Sequence, residues 1–404
     1  MDGLKLINDR LGHAAGDAIL VELGARLRLC GETDCYVARL ASDEFVLIFE
    51  PRTDTVEAVV LAVNEFGIHL QNRITAPYLV SGHTVHITGS IGVTLFGAGL
   101  SDTPEALLRE VDAAMYEAKQ SHRGGIHFFD EQIRKALEAR ADLGNRLLRA
   151  LRANEFVQVY QPQFDQQGRV AGVEALVRWH DEVLGNVSPA TFIPLAETLH
   201  IVTDIDRWVL DRACQTAALW AKDAALSQVP ISVNVSGEFF TMKSFVNEVT
   251  QTMSRHGTRP EQLMIELTEG TLISESEQNQ LNIDQLHRLG IKVAIDDFGT
   301  GNSSLSYMKR FTVDQLKIDQ SFVRDMLNDE RSFAIVQFII NLAHALNYHT
   351  LAEGVESTAQ HEKLRELGCT LFQGYLFSKP LPLAECESFI QHTHGNNGPQ
   401  GVVD

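Results

Sequence analysis

The chain has 404 residues, more than one ordinary domain needs and enough for two hydrophobic cores. An apolar fraction of 44% and a charged fraction of 22% are those of a soluble globular protein. A formal net charge of −19 excludes a general binder of nucleic-acid backbone, which needs a basic face; a small anionic ligand stays open, because a local metal or arginine reverses the field of one pocket.

The N-terminal stretch "MDGLKLINDRLGH" is charged and lacks the pattern of a signal peptide, and no apolar run reaches the length of a membrane helix. The cysteines, Cys30, Cys35, Cys214, Cys369 and Cys386, are odd in number and scattered. They read as reduced residues of a cytoplasmic protein, not as a disulfide framework or zinc site. The histidines form no H-E-x-x-H or comparable ligand pattern.

Taken in chain order, residues 1–130 alternate helical and strand patterns. "AGDAILVELGARLRLC" has helical spacing; "YVARL" and "FVLIFE" flank "ASDE" as a hairpin; "HTVHITGSIGVTLF" predicts a further strand region. "TPEALLREVDAAMYEAKQS" predicts a helix with Thr103 as N-cap and Pro104 in the first turn. A charged helical stretch follows, expected to be a linker over residues 131–148. Residues 149–393 then repeat one phrase, a short apolar strand and a helical segment. The strands are "FVQVYQPQF", "VAGVEALVRW", "ISVNVS", "LMIELTE", "KVAIDDFG", "QLKIDQS", "HTLAEGVE" and "TLFQGYLF". Such repetition predicts a closed (β/α) barrel. Residues 394–404 read as a flexible tail.

Polar residues interrupt or end these apolar strands: Glu174, Asn234, Glu266, Asp296, Lys317, Glu353 and Gln373. A single one could be a satisfied core group, but burying one in strand after strand without partners would cost several kcal/mol each. A barrel resolves this, since its functional side chains gather at the carboxyl ends of the strands. Glu174, Asn234, Glu266, Asp296 and Asp297 would then share one pocket. Such an all-oxygen set suits Mg²⁺ or Mn²⁺ better than zinc. Asp296 and Asp297 are adjacent, and strand neighbours point to opposite faces. They can share a site only where the strand is ending, at the turn that "FGTG" permits. If Asp296 bridges two metals about 3.5–4 Å apart, the layout is that of two-metal phosphodiester hydrolysis. The competing reading makes Asp297 a helix N-cap and Asp296 a surface charge.

From Asp142 to His392 the chain resembles the EAL-domain family of cyclic-di-GMP phosphodiesterases. The resemblance rests on "YQPQ" at 160–163, "EALVRW" at 174–179, "SVNVS" at 232–236, "ELTE" at 266–269, "DDFGTG" at 296–301, "KID" at 317–319, "AEGVE" at 352–356 and "QGYLFSKP" at 373–380. It implies a (β/α)8 TIM-like barrel that hydrolyses cyclic-di-GMP to linear pGpG with two Mg²⁺ or Mn²⁺ ions. Glu174, Asn234, Glu266 and Asp296 match the family's metal ligands, and Asp297 the second metal's, with Glu353 nearby. Lys317 matches the lysine that contacts the nucleophilic water, so Lys317, Glu353 and Glu174 are the expected catalytic residues. Gln161, Arg178, Asp319, Glu356 and Gln373 match substrate-binding positions. Glu269 matches the residue that pins the "DDFGTG" loop, which the family uses to couple homodimerisation to activity. Asn302 stands where the family usually has an aromatic residue.

Residues 1–130 resemble a GGDEF, diguanylate cyclase-like domain of nucleotidyl-cyclase-type α+β fold, in degenerate form. The signature loop reads "RLASDEF" at 39–45, with Ala41 and Ser42 in place of two glycines. Asp43 and Glu44 match acidic positions, but the family's first metal-binding aspartate and its strand would precede Met1. Glu32 and Cys35 stand where an inhibitory-site R-x-x-D would be. Asn8 and Asp17 match guanine contacts and Lys119 and Arg123 phosphate contacts for GTP. The expectation is a domain with little or no cyclase activity, either regulatory with residual GTP binding or a structural remnant, in a chain whose full-length parent carries an upstream sensory region and could be anchored to a membrane. The alternative to hydrolysis is a receptor that binds cyclic-di-GMP and acts through protein partners.

Overall fold

The computed structural model describes residues 4–29, 35–53, 55–80, 82–97, 103–121, 124–153, 155–273, 277–299 and 311–395. The chain divides into two compact units, Met1–Leu143 and Gly144–Asp404.

In the first unit, helices Leu4–Leu11 and His13–Leu29 precede a hairpin of Cys35–Ala41 and Glu44–Phe49. The second helix buries Ala15, Ile19, Leu23 and Leu27, one stripe at four-residue spacing. The stripe packs on Leu70 and Ile74 of helix Val56–Thr75 and on Tyr78. The predicted hairpin around "ASDE" is present, with Val37 opposite Leu47. The predicted helix runs Pro104–Ser121, and Thr103 Oγ1 accepts from Ala106 N at 3.3 Å. The stretch read as one strand region, "HTVHITGSIGVTLF", is divided. His83–Val85 pairs antiparallel with Tyr78–Val80, whereas Ile91–Val93 pairs parallel with Ile126–Phe128. Burial alternates only between the two pieces, at residues 86–89, and the pieces serve different partners, which the pattern of one strand cannot reveal.

The second unit is a closed barrel of eight strands. They are β1 (Phe156–Asp165), β2 (Val170–Asp181), β3 (Ile231–Asn234), β4 (Leu263–Thr268), β5 (Lys292–Phe298), β6 (Gln315–Ile318), β7 (His349–Ala352) and β8 (Leu371–Phe372). Neighbours from β2 through β8 are parallel, and helices such as Val202–Trp220 and Glu330–Leu346 lie in the crossovers. The inward and outward aliphatics of the central strands, including Val233, Ile265, Ile295, Leu316 and Leu351, are fully buried, as expected for parallel strands covered on both faces.

One strand departs from the repeating pattern. β1 runs antiparallel to both β2 and β8 and closes the barrel between them. The cause is local: only Gln166–Arg169 separate β1 from β2. Asp165 Oδ1 accepts from the backbone N–H groups of Gln167 and Arg169, and Gly168 takes φ +75°. A turn this short joins antiparallel strands and leaves no room for a crossover helix.

The stretch expected as a linker is helical throughout, in helix Glu131–Ala153, within which the division between units falls. The expected tail overlaps the last helix, Leu383–Gly395, and continues outside the described residues.

Candidate metal centre and active site

Register brings the polar residues of the strands to one level. Glu174 on β2 is paired with Ser232, Asn234 at the end of β3 with Glu266, and Asp296 on β5 with Thr268. Lys317 lies on β6 opposite Leu351. Glu353 and Gln373 follow the last residues of β7 and β8, held by Glu353 N to Ile318 O at 3.1 Å and Gln373 N to Ala352 O at 2.9 Å.

The adjacent aspartates are accommodated by a break in the ladder. Ile295 pairs with Leu316 and Phe298 with Ile318, so Asp296 and Asp297 together oppose the single residue Lys317. Asp297 has φ +53°, in the left-handed region that aspartate tolerates better than most residues. Its N–H donates to Asp296 Oδ1 at 2.9 Å. This bulge cancels the alternation, and both carboxylates reach the same side. Oxygen atoms of Glu174, Glu266 and Asp296 lie within 4.8 Å of one another; so do those of Asp296, Asp297 and Glu353. Asp296 belongs to both groups.

Lys317 stands among them, fully buried. Its Nζ is 2.7 Å from Glu266 Oε2, 2.8 Å from Glu353 Oε1, 3.1 Å from Asp296 Oδ1 and 3.6 Å from Glu174 Oε1. Burial alone would lower the lysine pKa, but Asp296, Glu174, Glu266 and Glu353 hold it well above the ordinary value. One ammonium cannot neutralise so many carboxylates. Burial pushes Glu266 up to about 8 against the pull of Lys317, and Glu174 and Asp296 add to the rise. Glu353 is likewise raised, chiefly by burial. Burial, Asp296 and Asp319 lift Asp297 to about 6. Glu174 goes the other way: burial raises it, but Lys317, Gln373 and Asn234 together take it below the usual range.

So crowded a set of carboxyl groups would favour a cation of higher charge over the single ammonium. Glu266 Oε1 is buried without a hydrogen-bond partner, an acceptor left open. Asn234 donates Nδ2 to Glu174 Oε1 at 2.6 Å, so its Oδ1 is the atom that could face a cation. An all-oxygen, electron-rich donor set sharing one aspartate fits a pair of hard divalent cations.

The remaining expected residues divide. Gln373 is buried and donates to Glu174 Oε2 at 2.5 Å and to Gln161 Oε1 at 3.2 Å; Gln161 in turn donates to Ser378 O at 3.1 Å. Arg178 is on the same face of β2 as Glu174, half-buried, with Nη1 donating to Val177 O at 2.8 Å. Asp319 caps helix Gln320–Asp325 by accepting from Ser321 N at 2.9 Å, and its charge acts on Asp297. Glu356 is exposed, beyond β7. Glu269 Oε2 accepts from Gly299 N at 2.9 Å, at the entrance to the "DDFGTG" loop. The rest of that loop, with Asn302, lies outside the described residues.

In the first unit, Asn8 sits against Gly16, where any Cβ would meet its Oδ1 at 1.9 Å; that oxygen is buried without a hydrogen-bond partner. Asp17 is exposed beside Gly16, and Lys119 is in the last turn of helix Pro104–Ser121. Arg123, Cys30 and Glu32 lie outside the described residues. Ser42 takes φ +26° at the hairpin tip, a glycine-like conformation now carrying a side chain.

Two supporting residues escaped the sequence reading. Gln163 donates to Gln373 Oε1 at 3.0 Å; its signal was the two-residue spacing from Gln161, which puts both on one face of β1. Asp206, on helix Val202–Trp220, accepts from Ser236 N at 3.2 Å and Ser236 Oγ at 2.5 Å, just beyond Asn234. Nothing in the local helical pattern marked it.

Comparison with known proteins agrees with this architecture. The EAL domain model matches residues 144–380, and the diguanylate cyclase, GGDEF domain model matches residues 1–125. The bifunctional diguanylate cyclase/cyclic di-GMP phosphodiesterase MucR of Pseudomonas aeruginosa is 38% identical over 383 residues, 95% of this chain and 55% of MucR. The cyclic di-GMP phosphodiesterase NbdA of the same organism is 35% identical over 392 residues, 97% of this chain and 49% of NbdA. The chain therefore spans about half the length of these curated relatives. The solved MucR phosphodiesterase in complex with c-di-GMP superimposes with a TM-score of 0.57 at 38% identity, covering 59% of this chain and 99% of that one. The chain is thus a member of the EAL-domain family, with a GGDEF domain ahead of the EAL barrel.

Proposed function

We propose that this chain hydrolyses cyclic-di-GMP to linear pGpG, and that its GGDEF domain regulates this activity without making cyclic-di-GMP. The observation that carries the reading is the sharing of Asp296 between two carboxylate groups around Lys317. Two relatives named as cyclic di-GMP phosphodiesterases, and the solved relative in complex with c-di-GMP, support the substrate.

Glu174, Asn234, Glu266 and Asp296 would hold one Mg²⁺ or Mn²⁺, and Asp296, Asp297 and Glu353 the other. When bound, the pair supplies Lewis acidity toward the phosphoryl oxygens and makes water acidic enough to attack near neutral pH. The bond broken is between phosphorus and the 3′ oxygen. A water oxygen bonds to phosphorus, and a proton ends on the departing 3′ oxygen. Lys317 orients the attacking water and balances the charge that builds on phosphate. Its contacts with Glu266 at 2.7 Å and Glu353 at 2.8 Å hold that ammonium in place. Arg178 offers a donor fork to a substrate phosphate, with Gln161, Asp319 and Glu356 as further nucleotide contacts. Glu269, through Gly299, ties the "DDFGTG" loop to β4, the route by which homodimerisation through the EAL domain would reach the site.

In the GGDEF domain, Ala41 and Ser42 place side chains where backbone must approach a phosphate. GTP held by Asn8, Asp17, Lys119 and Arg123 would then be an effector, not a substrate.

The test is direct. The purified chain is incubated with cyclic-di-GMP and Mg²⁺ or Mn²⁺, and the nucleotides are resolved by chromatography. Linear product that disappears in Glu174→Ala is expected. Tight binding without product would replace the enzyme by a receptor, and conversion of GTP to cyclic-di-GMP would overturn the reading of the first domain.

A further inference from the structure

The barrel closes where β1 meets β8, and a network of three buried glutamines at this seam touches the candidate metal ligand Glu174 through Gln373. Gln163 Nε2 donates to Gln373 Oε1 at 3.0 Å, and Gln373 Nε2 donates to Glu174 Oε2 at 2.5 Å and to Gln161 Oε1 at 3.2 Å. The direction of this chain matters. A side-chain amide is a donor at one end and an acceptor at the other. Rotated by half a turn, Gln373 would present its carbonyl to a carboxylate and its NH₂ to the NH₂ of Gln163. Gln163 completes the productive orientation by supplying the donor that the Gln373 carbonyl needs in a buried place. Gln163 is itself seated by its neighbour across the hairpin: it pairs with Gly172, where a Cβ would lie 2.9 Å from Gln163 Oε1.

We propose that Gln163 is a positioning residue, which through Gln373 fixes Glu174 for the divalent cation and so sets metal affinity. The inference rests on the metal-dependent reading of this site. Its hydrogen bond goes to Gln373 and not to a candidate metal ligand, so its effect on Glu174 passes through Gln373.

The experiment measures Mn²⁺ binding to the full chain by electron paramagnetic resonance, beside the Mn²⁺ dependence of cyclic-di-GMP cleavage. Groups that orient a metal ligand typically change affinity about 10–100-fold when lost. Gln163→Leu is expected to weaken Mn²⁺ binding about tenfold, with cleavage restored at saturating Mn²⁺. Gln163→Glu puts an acceptor against the Gln373 carbonyl and is expected to weaken it more. Gln163→Leu added to Gln373→Leu should change nothing further, because both act along one path. Gly172→Ala presses on the same amide from the neighbouring strand and should shift affinity in the same direction; it carries the test if the Gln163 variants fail to fold. Unchanged Mn²⁺ affinity in the folded variants, or additive losses in the double variant, overturns the proposal. A wild-type chain that binds Mn²⁺ but leaves cyclic-di-GMP intact would count against the enzyme reading only, since the affinity shifts would still decide the role of Gln163.

Discussion

Replacing Lys317 with methionine keeps most of its volume and removes the one ammonium from among four carboxylates. Breaking a buried ion pair by deleting one partner costs about 3–5 kcal/mol. The cost has a ceiling, because a carboxyl can take up a proton in place of the ammonium. For a group of ordinary pKa about 4.3, holding that proton costs about 1.4 kcal/mol for each pH unit above it, roughly 5 kcal/mol at pH 8 and 2 kcal/mol at pH 6. The sign follows: the variant's replacement proton is bound in the folded state and released on unfolding, so its deficit grows as pH rises. At about 2–4 °C per kcal/mol for a domain of this size, melting in EDTA should fall by about 10 °C or more at pH 8 and by much less at pH 6. Saturating Mg²⁺ should recover part of the loss by supplying the missing charge. The assay is thermal denaturation of both proteins across that pH range. Superimposable curves at pH 8, or a gap that widens on acidification, would refute the electrostatic account of Lys317.

Asp296→Asn removes a charge from both carboxylate groups at once and should lower hydrolysis at least a hundredfold with the fold intact, read by chromatography and circular dichroism. Asp206 is driven up to about 7, mainly by burial, so it is neutral in the folded barrel at mildly acid pH. Its raised pKa contributes stability that is complete below pH 4 and lost as pH rises through about 7. Wild type should therefore lose about 2–4 kcal/mol between pH 5 and 8 from this group; urea titrations of Asp206→Asn should lack that part of the slope. Glu269→Ala leaves the Gly299 N–H without its acceptor, a loss of about 1–3 kcal/mol from that bond; faster amide exchange at Gly299 and reduced turnover should accompany it.

The local order of this protein is written in its sequence. Apolar runs bounded by turn residues give every barrel strand, but the repeating strand–helix phrase passed over the antiparallel pairing of β1 with β2, whose four-residue connection cannot hold a crossover. The acidic groups at strand ends already pointed to a hard-cation site. What the tertiary structure decided is which of these groups meet, and how. The bulge that turns Asp296 and Asp297 to one side depends on the pairing of β5 with β6. The four carboxylates around Lys317 come from β2, β4, β5 and the end of β7. The glutamine seam joins residues 210 positions apart. Periodicity and turn chemistry act over a few residues, whereas closing a barrel brings chain ends together, and its contacts exist only once every strand has found its register.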